Sequence, residues 1–91
     1  MIKKKDKTSE HLQTIPGIGK SMAEDLKALG IYKVSDLVQK NPQDMYDELC
    51  RQRKTKMDRC VLYVFRCAVY YAENDQHDPE LLKWWNWKNS N

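Results

Sequence analysis

Little in this chain can build a covalent or metallic framework. Its 91 residues hold only three cysteines, three glycines, three prolines, two histidines and one phenylalanine. Cys50, Cys60 and Cys67 are odd in number and form no CxxC pair, which argues against a disulfide scaffold and against a zinc site. Cys60 and Cys67 fall on one helical face about two turns apart, too far for a bond. Both are expected to be small buried apolar groups. His11 and His77 are isolated and read as ordinary surface residues. No metal or cofactor is expected. No apolar stretch follows Met1-Ile2-Lys3-Lys4-Lys5, so no signal peptide is expected. The longest apolar run, Cys60 to Ala72, is broken by Arg66 and falls short of the ~20 residues that a membrane span needs. A cytoplasmic, reduced setting follows as the expectation, with no membrane partner.

Charge is present in both signs but segregated. The net charge is +3, with 32% charged residues. Lys3, Lys4, Lys5 and Lys7 crowd the start, and Arg51, Arg53, Lys54, Lys56 and Arg59 form a second basic segment. Asp36, Asp44, Asp47 and Glu48 form an acidic stretch between them, and Glu73, Asp75, Asp78 and Glu80 another near the end. The basic segments can face an anionic partner.

No strand-like alternation is visible, and the pattern predicts an all-α bundle of five or six helices. Residues 1–8 read as a basic tail and 9–91 as one domain. A first short helix starts at Thr8 or Ser9, turns Leu12 and Ile15 inward, and ends at Pro16. A second runs from Lys20 to Leu29, with Met22, Ala23, Leu26 and Leu29 at helical spacing. Gly30 is placed for a left-handed cap and Ile31 for the apolar residue that closes it. Ser35 is expected to cap a short helix reaching Lys40. Asn41-Pro42-Gln43-Asp44 starts the next helix, with Met45, Tyr46 and Leu49 facing inward. Thr55 is expected to cap a long, nearly all-apolar central helix from Lys56 to about Asn74. Asp78-Pro79-Glu80 opens a last short helix carrying Trp84, Trp85 and Trp87, which read chiefly as core closure. Arg66, inside the central helix, is expected to snorkel or to pair with an acid.

The sharpest local feature is Ile15-Pro16-Gly17-Ile18-Gly19-Lys20. Pro16 stops one helix, Gly17 admits a positive φ, Ile18 anchors the turn in the core, and Gly19 allows close backbone approach. The first amides of the following helix have no intrahelical acceptor, and the positive end of its dipole lies there. Such a helix start suits a phosphate, with Lys20 as a mobile cation beside it. The plainer reading is a tight interhelical turn. Arg51, Arg53, Lys54 and Lys56 are either a solvated loop or a second backbone contact that steepens salt dependence. Lys40-Asn41-Pro42-Gln43, in a second helix-turn-helix over 35–51, has no glycine and reads as a structural half-repeat. Asp44, Asp47 and Glu48 share a helix but are expected to face solvent, so a nuclease or other enzyme is not expected.

The segment IPGIGKSMAEDLKALGI resembles the hairpin of helix-hairpin-helix DNA-binding modules, of SAM-like topology. It is also similar to the C-terminal domain of TfoX-type competence regulators. With DRCVLYVFRCAVYYAEN and PELLKWWNWK, the chain over roughly residues 9–88 resembles small bacterial mitomycin-resistance and pathogenicity-locus proteins. The resemblance implies paired hairpins and binding of duplex DNA without sequence preference. The phosphate-binding role is carried onto Gly17, Ile18, Gly19 and Lys20, in a setting of DNA repair, recombination or stress resistance. Some such hairpins hold a monovalent cation on loop carbonyls. The alternative is a protein–protein interaction module built on the same fold.

Overall fold

The computed structural model describes residues 11–88 and is helical, with no strand among the described residues. The basic tail at 1–8 and the helix start at Thr8 or Ser9 lie outside these residues. Among the described residues three α-helices carry the structure: α1, Lys20–Ala28; α2, Pro42–Arg53; and α3, Arg59–Glu73. Four single-turn 3-10 segments, Leu12–Thr14, Val34–Leu37, Pro79–Leu82 and Trp84–Trp87, take the remaining places. The expectation of five or six helices is corrected accordingly. Short polar-rich segments between glycine and proline stops are too brief to propagate an α-helix, yet one 3-10 turn is enough to aim an apolar side chain inward.

α3 is the axis of the molecule. Leu62, Val64, Phe65, Cys67, Ala68 and Val69 are buried along it, and α2, the Val34–Leu37 turn and both C-terminal turns lie against it. Leu12, Ile15, Ile18, Leu26, Ile31, Leu37, Met45, Tyr46 and Leu49 complete the core. No charged residue is buried among the described residues.

Two boundaries follow local chemistry closely. Gly30, at φ +84°, ends α1 with a Schellman cap: Ile31 N–H donates to the Leu26 carbonyl and Gly30 N–H to that of Lys27, both at 2.9 Å. The Asn41 side chain accepts from the amides of Gln43 (2.8 Å) and Asp44 (3.2 Å), with Pro42 at the first helical position.

Two others are set by longer-range contacts. Ser35 does not cap its turn. Lys33 holds that position, and the Asp36 carboxylate accepts from the amides of Tyr32 (3.0 Å) and Lys33 (3.2 Å). The central helix starts three residues later than the Thr55 cap implies. Lys54 adopts φ +56°, Thr55 N–H bonds the Cys50 carbonyl, and Met57 is held on both sides: its amide donates to Cys50 Sγ and its carbonyl accepts the Tyr46 hydroxyl. These bonds hold 55–57 against α2, so Asp58 becomes the cap, accepting from Cys60 N–H at 2.8 Å. That bond lowers the Asp58 pKa. Burial, then the neighbouring Cys50 thiol, raises the Tyr46 phenol.

The cysteines divide. Cys67 is buried and Cys60 exposed, so the expectation that both are buried is corrected. They share a stripe, but the first turn of α3 projects past its cover. All three thiols are free. Burial pushes the Cys67 thiol up to about 11. The folded protein thus keeps a proton that the unfolded chain releases first, and stability falls as pH climbs from the ordinary thiol value toward 11. Iodoacetamide with mass spectrometry should find Cys60 modified in the folded protein and Cys67 modified only on unfolding. Rapid native labelling of Cys67 contradicts this packing.

Candidate nucleic-acid interface

The turn before α1 is anchored from both sides. Ile15 and Ile18 are buried, and the Ile18 amide donates to the Ile15 carbonyl at 3.0 Å. Ile18 therefore serves the site only as an anchor, because its one donor is engaged within the turn. Between them Gly17 lies exposed at φ +91°. Gly19 is the N-cap of α1 in an extended conformation, and no side chain caps that helix. The first hydrogen bond across this end runs from Ala23 N–H to the Gly19 carbonyl at 2.9 Å. The amides of Lys20, Ser21 and Met22 come before it, and no described acceptor pairs with them. The helix dipole points its positive end at the same spot. Lys20 is exposed there.

The two glycines are not equivalent. A Cβ on Gly19 would meet nothing within 4 Å, whereas one on Gly17 would stand 3.0 Å from Trp84 Cδ1. The C-terminal Trp84–Trp87 turn is thus folded back onto the hairpin. Trp84 buttresses Gly17 without covering Gly19. Gly17→Ala is expected to cost about 1–3 kcal/mol, from the left-handed φ and the indole contact together. Gly19→Ser is expected to hold or slightly raise stability, because serine can cap. Thermal melts of the two variants check this pair; equal losses contradict it.

The second basic segment lies elsewhere. Arg53 pairs with Asp25 of α1, and Gln52 Nε2 donates to the Ala28 carbonyl at 3.2 Å. Arg51 is held by Glu48, whose pKa is lowered by hydrogen bonds from Arg51 and then Gln52. These contacts fix the segment to the C-terminal half of α1. Asp25 lies about 9 Å along the axis from the Gly19 end, and Ala28 about 13 Å. Lys54 and Lys56 are exposed, while Arg51 and Arg53 are already partnered. The structure does not bring Arg51, Arg53, Lys54 and Lys56 together with the Gly19 mouth.

The second turn is closed internally. Gln39 takes the left-handed φ of +68° that a glycine would hold, and its amide donates to Glu73 of α3 at 2.8 Å. That bond ties the turn to α3. Asp44 and Asp47 are exposed, and no group of three metal-ligating side chains gathers among the described residues. Arg66 pairs with no acid among the described residues. Its guanidinium donates to the Trp87 carbonyl at 2.7 Å and lies 5.7 Å from the Tyr63 ring centroid, so it ties the C-terminal turn to α3. His77 is not a plain surface residue either: it stacks on Tyr71 at 4.5 Å, and its Nε2 lies 2.9 Å from the Tyr71 carbonyl. Trp84 packs on the core, Trp87 Nε1 donates to the Leu81 carbonyl, and Trp85 is 52% exposed. No described helix is long and apolar enough to cross a membrane.

One cation was overlooked in the sequence pattern. Lys27 follows Lys20 by seven residues, which puts both on one stripe of α1, about 10 Å apart along its axis.

Two comparisons with known proteins place the chain. The pathogenicity-locus family (Cdd1) matches it over residues 5–91. A mitomycin resistance protein, McrB of Streptomyces lavendulae, is 26% identical over 76 residues, covering 84% of this chain and 69% of its own. No solved structure matches.

Proposed function

The chain belongs to the pathogenicity-locus family, and from the geometry of its hairpin we propose that it binds duplex DNA through the phosphate backbone, without reading sequence. The observation that carries this reading is the start of α1. Uncapped amides follow an extended glycine, and the space a side chain would take at Gly19 is open. Gly17 and the buried Ile15 and Ile18 set the turn, Trp84 braces it, and the Gly19–Met22 backbone and Lys20 meet the phosphate. Lys54 and Lys56 contribute at a distance, as a second patch. Phosphate contacts position a protein but carry no sequence information. The first segment of the hairpin is only one 3-10 turn, so the helix-hairpin-helix resemblance rests on the turn and on α1. The setting proposed is DNA repair, recombination or stress resistance. The relative's name speaks only to resistance.

Fluorescence anisotropy with a duplex of arbitrary sequence tests this. A dissociation constant on the order of 10⁻⁴ to 10⁻⁶ M is expected near physiological salt. If about three phosphates are neutralised, affinity should fall roughly 40-fold between about 50 and about 200 mM salt. The alternative, a protein-docking module, draws on the 52% exposure of Trp85. Salt-insensitive or absent duplex binding favours it.

A further inference from the structure

A groove of about 310 Å³ runs beside α1, between that helix, the Leu12–Thr14 turn and the Tyr32–Lys33 segment. Its size sits at the lower end of the range for small-ligand sites, ~300–1,000 Å³. Buried Leu12 and Ala23 contribute apolar floor, and Lys27, Lys33 and His11 supply donors around it. No carboxylate among the described residues lines it. Lys27 lies 3.7 Å from Glu24, but the two side chains are 49% and 65% exposed, so that pair is readily exchanged for another anion.

Tyr32 is the unusual member. It is 66% exposed, the highest value among the exposed large hydrophobics of the described residues, and it stands on a fixed backbone. Ile31 and Val34 are buried on either side, and the Asp36 carboxylate holds the amides of Tyr32 and Lys33. A rigidly presented ring that contributes nothing to the core, beside a cationic groove, has the makings of a stacking platform. The groove and the hairpin site share α1. Ala23 and Lys27 lie on the α1 stripe that begins at Lys20.

We infer that this groove seats an unpaired nucleotide flanking the duplex, with its base on Tyr32 and its phosphate between Lys27 and Lys33. The inference rests on the duplex-binding reading above and sharpens its substrate to DNA with a single-stranded tail or gap. Paired bases hide their faces in the stack, so a blunt duplex offers Tyr32 nothing to stack on.

The test is anisotropy with two labelled DNAs, a blunt duplex and the same duplex with a short single-stranded tail. It uses the full chain and the Tyr32→Ala and Tyr32→Phe variants. The tail is expected to tighten binding on the order of fivefold to a hundredfold. Tyr32→Ala should erase that gain and leave blunt-duplex affinity unchanged, and Tyr32→Phe should keep it. Tyr32 is exposed and outside the core, so both variants should fold as the unaltered chain does, and circular dichroism melts check this directly. Equal affinity for both DNAs, or a gain that survives Tyr32→Ala, overturns the groove and leaves duplex binding standing. Failure of the unaltered chain to bind either DNA overturns both.

Discussion

Gly19→Asp is expected to weaken DNA binding at least tenfold while leaving the fold as stable as before or slightly more so. The two effects have one cause. Aspartate is among the strongest N-cap residues, and its carboxylate would accept from the amides two and three places on, those of Ser21 and Met22. Nothing within 4 Å obstructs a Cβ there, and the extended backbone at Gly19 suits any residue. Capping is worth a few tenths of a kcal/mol over glycine. The same carboxylate occupies the donors that a phosphate would use and places a negative charge where the anion must sit. Hydrogen bonds to a charged group are worth about 1.5–3 kcal/mol each, so affinity should fall at least tenfold, and further from charge repulsion. Thermal melts and duplex titration on one preparation read both halves. Retained binding with a raised melting temperature means that DNA engages some other surface.

Phe65→Ala should come close to unfolding the protein. Phe65 is the one phenylalanine, is fully buried midway along α3, and is the largest of the completely buried side chains. Elements that precede it and elements that follow it in the chain lie against this helix. Truncation removes apolar burial and leaves a cavity that surrounding helices cannot collapse to fill, at about 3–5 kcal/mol. Small domains have only ~5–15 kcal/mol in total. A fall in melting temperature on the order of 15–30 °C is expected. A drop of only a few degrees would mean that α3 is not the axis of the core.

Features encoded within a few residues were legible in the sequence. Gly30 with Ile31, Asn41 with Pro42, and Asp78 before Pro79 state their caps in side-chain chemistry that works over two or three positions, and each is found in the structure. Ile15, Gly17 and Ile18 could likewise be assigned from the hairpin pattern alone. The misplaced boundaries share a different origin. The start of α3 depends on Tyr46 and Cys50 reaching across to Met57, contacts that no local pattern encodes. Cys60 shows that helical phase predicts a stripe but not where its cover ends. The placement of Trp84 against Gly17 joins residues 67 positions apart in the chain. The groove under Tyr32 is assembled from three segments. Exposed lysines and a tyrosine in a turn look like ordinary solvated surface until the fold places them side by side.

The most direct test of the central claim is a nitrogen-15 NMR titration of the full chain with a short duplex. The largest amide shifts should fall on Lys20, Ser21 and Met22, reverse on adding salt, and be absent in Gly19→Asp. Shifts that leave these three amides unmoved and gather instead around Trp85 would contradict it.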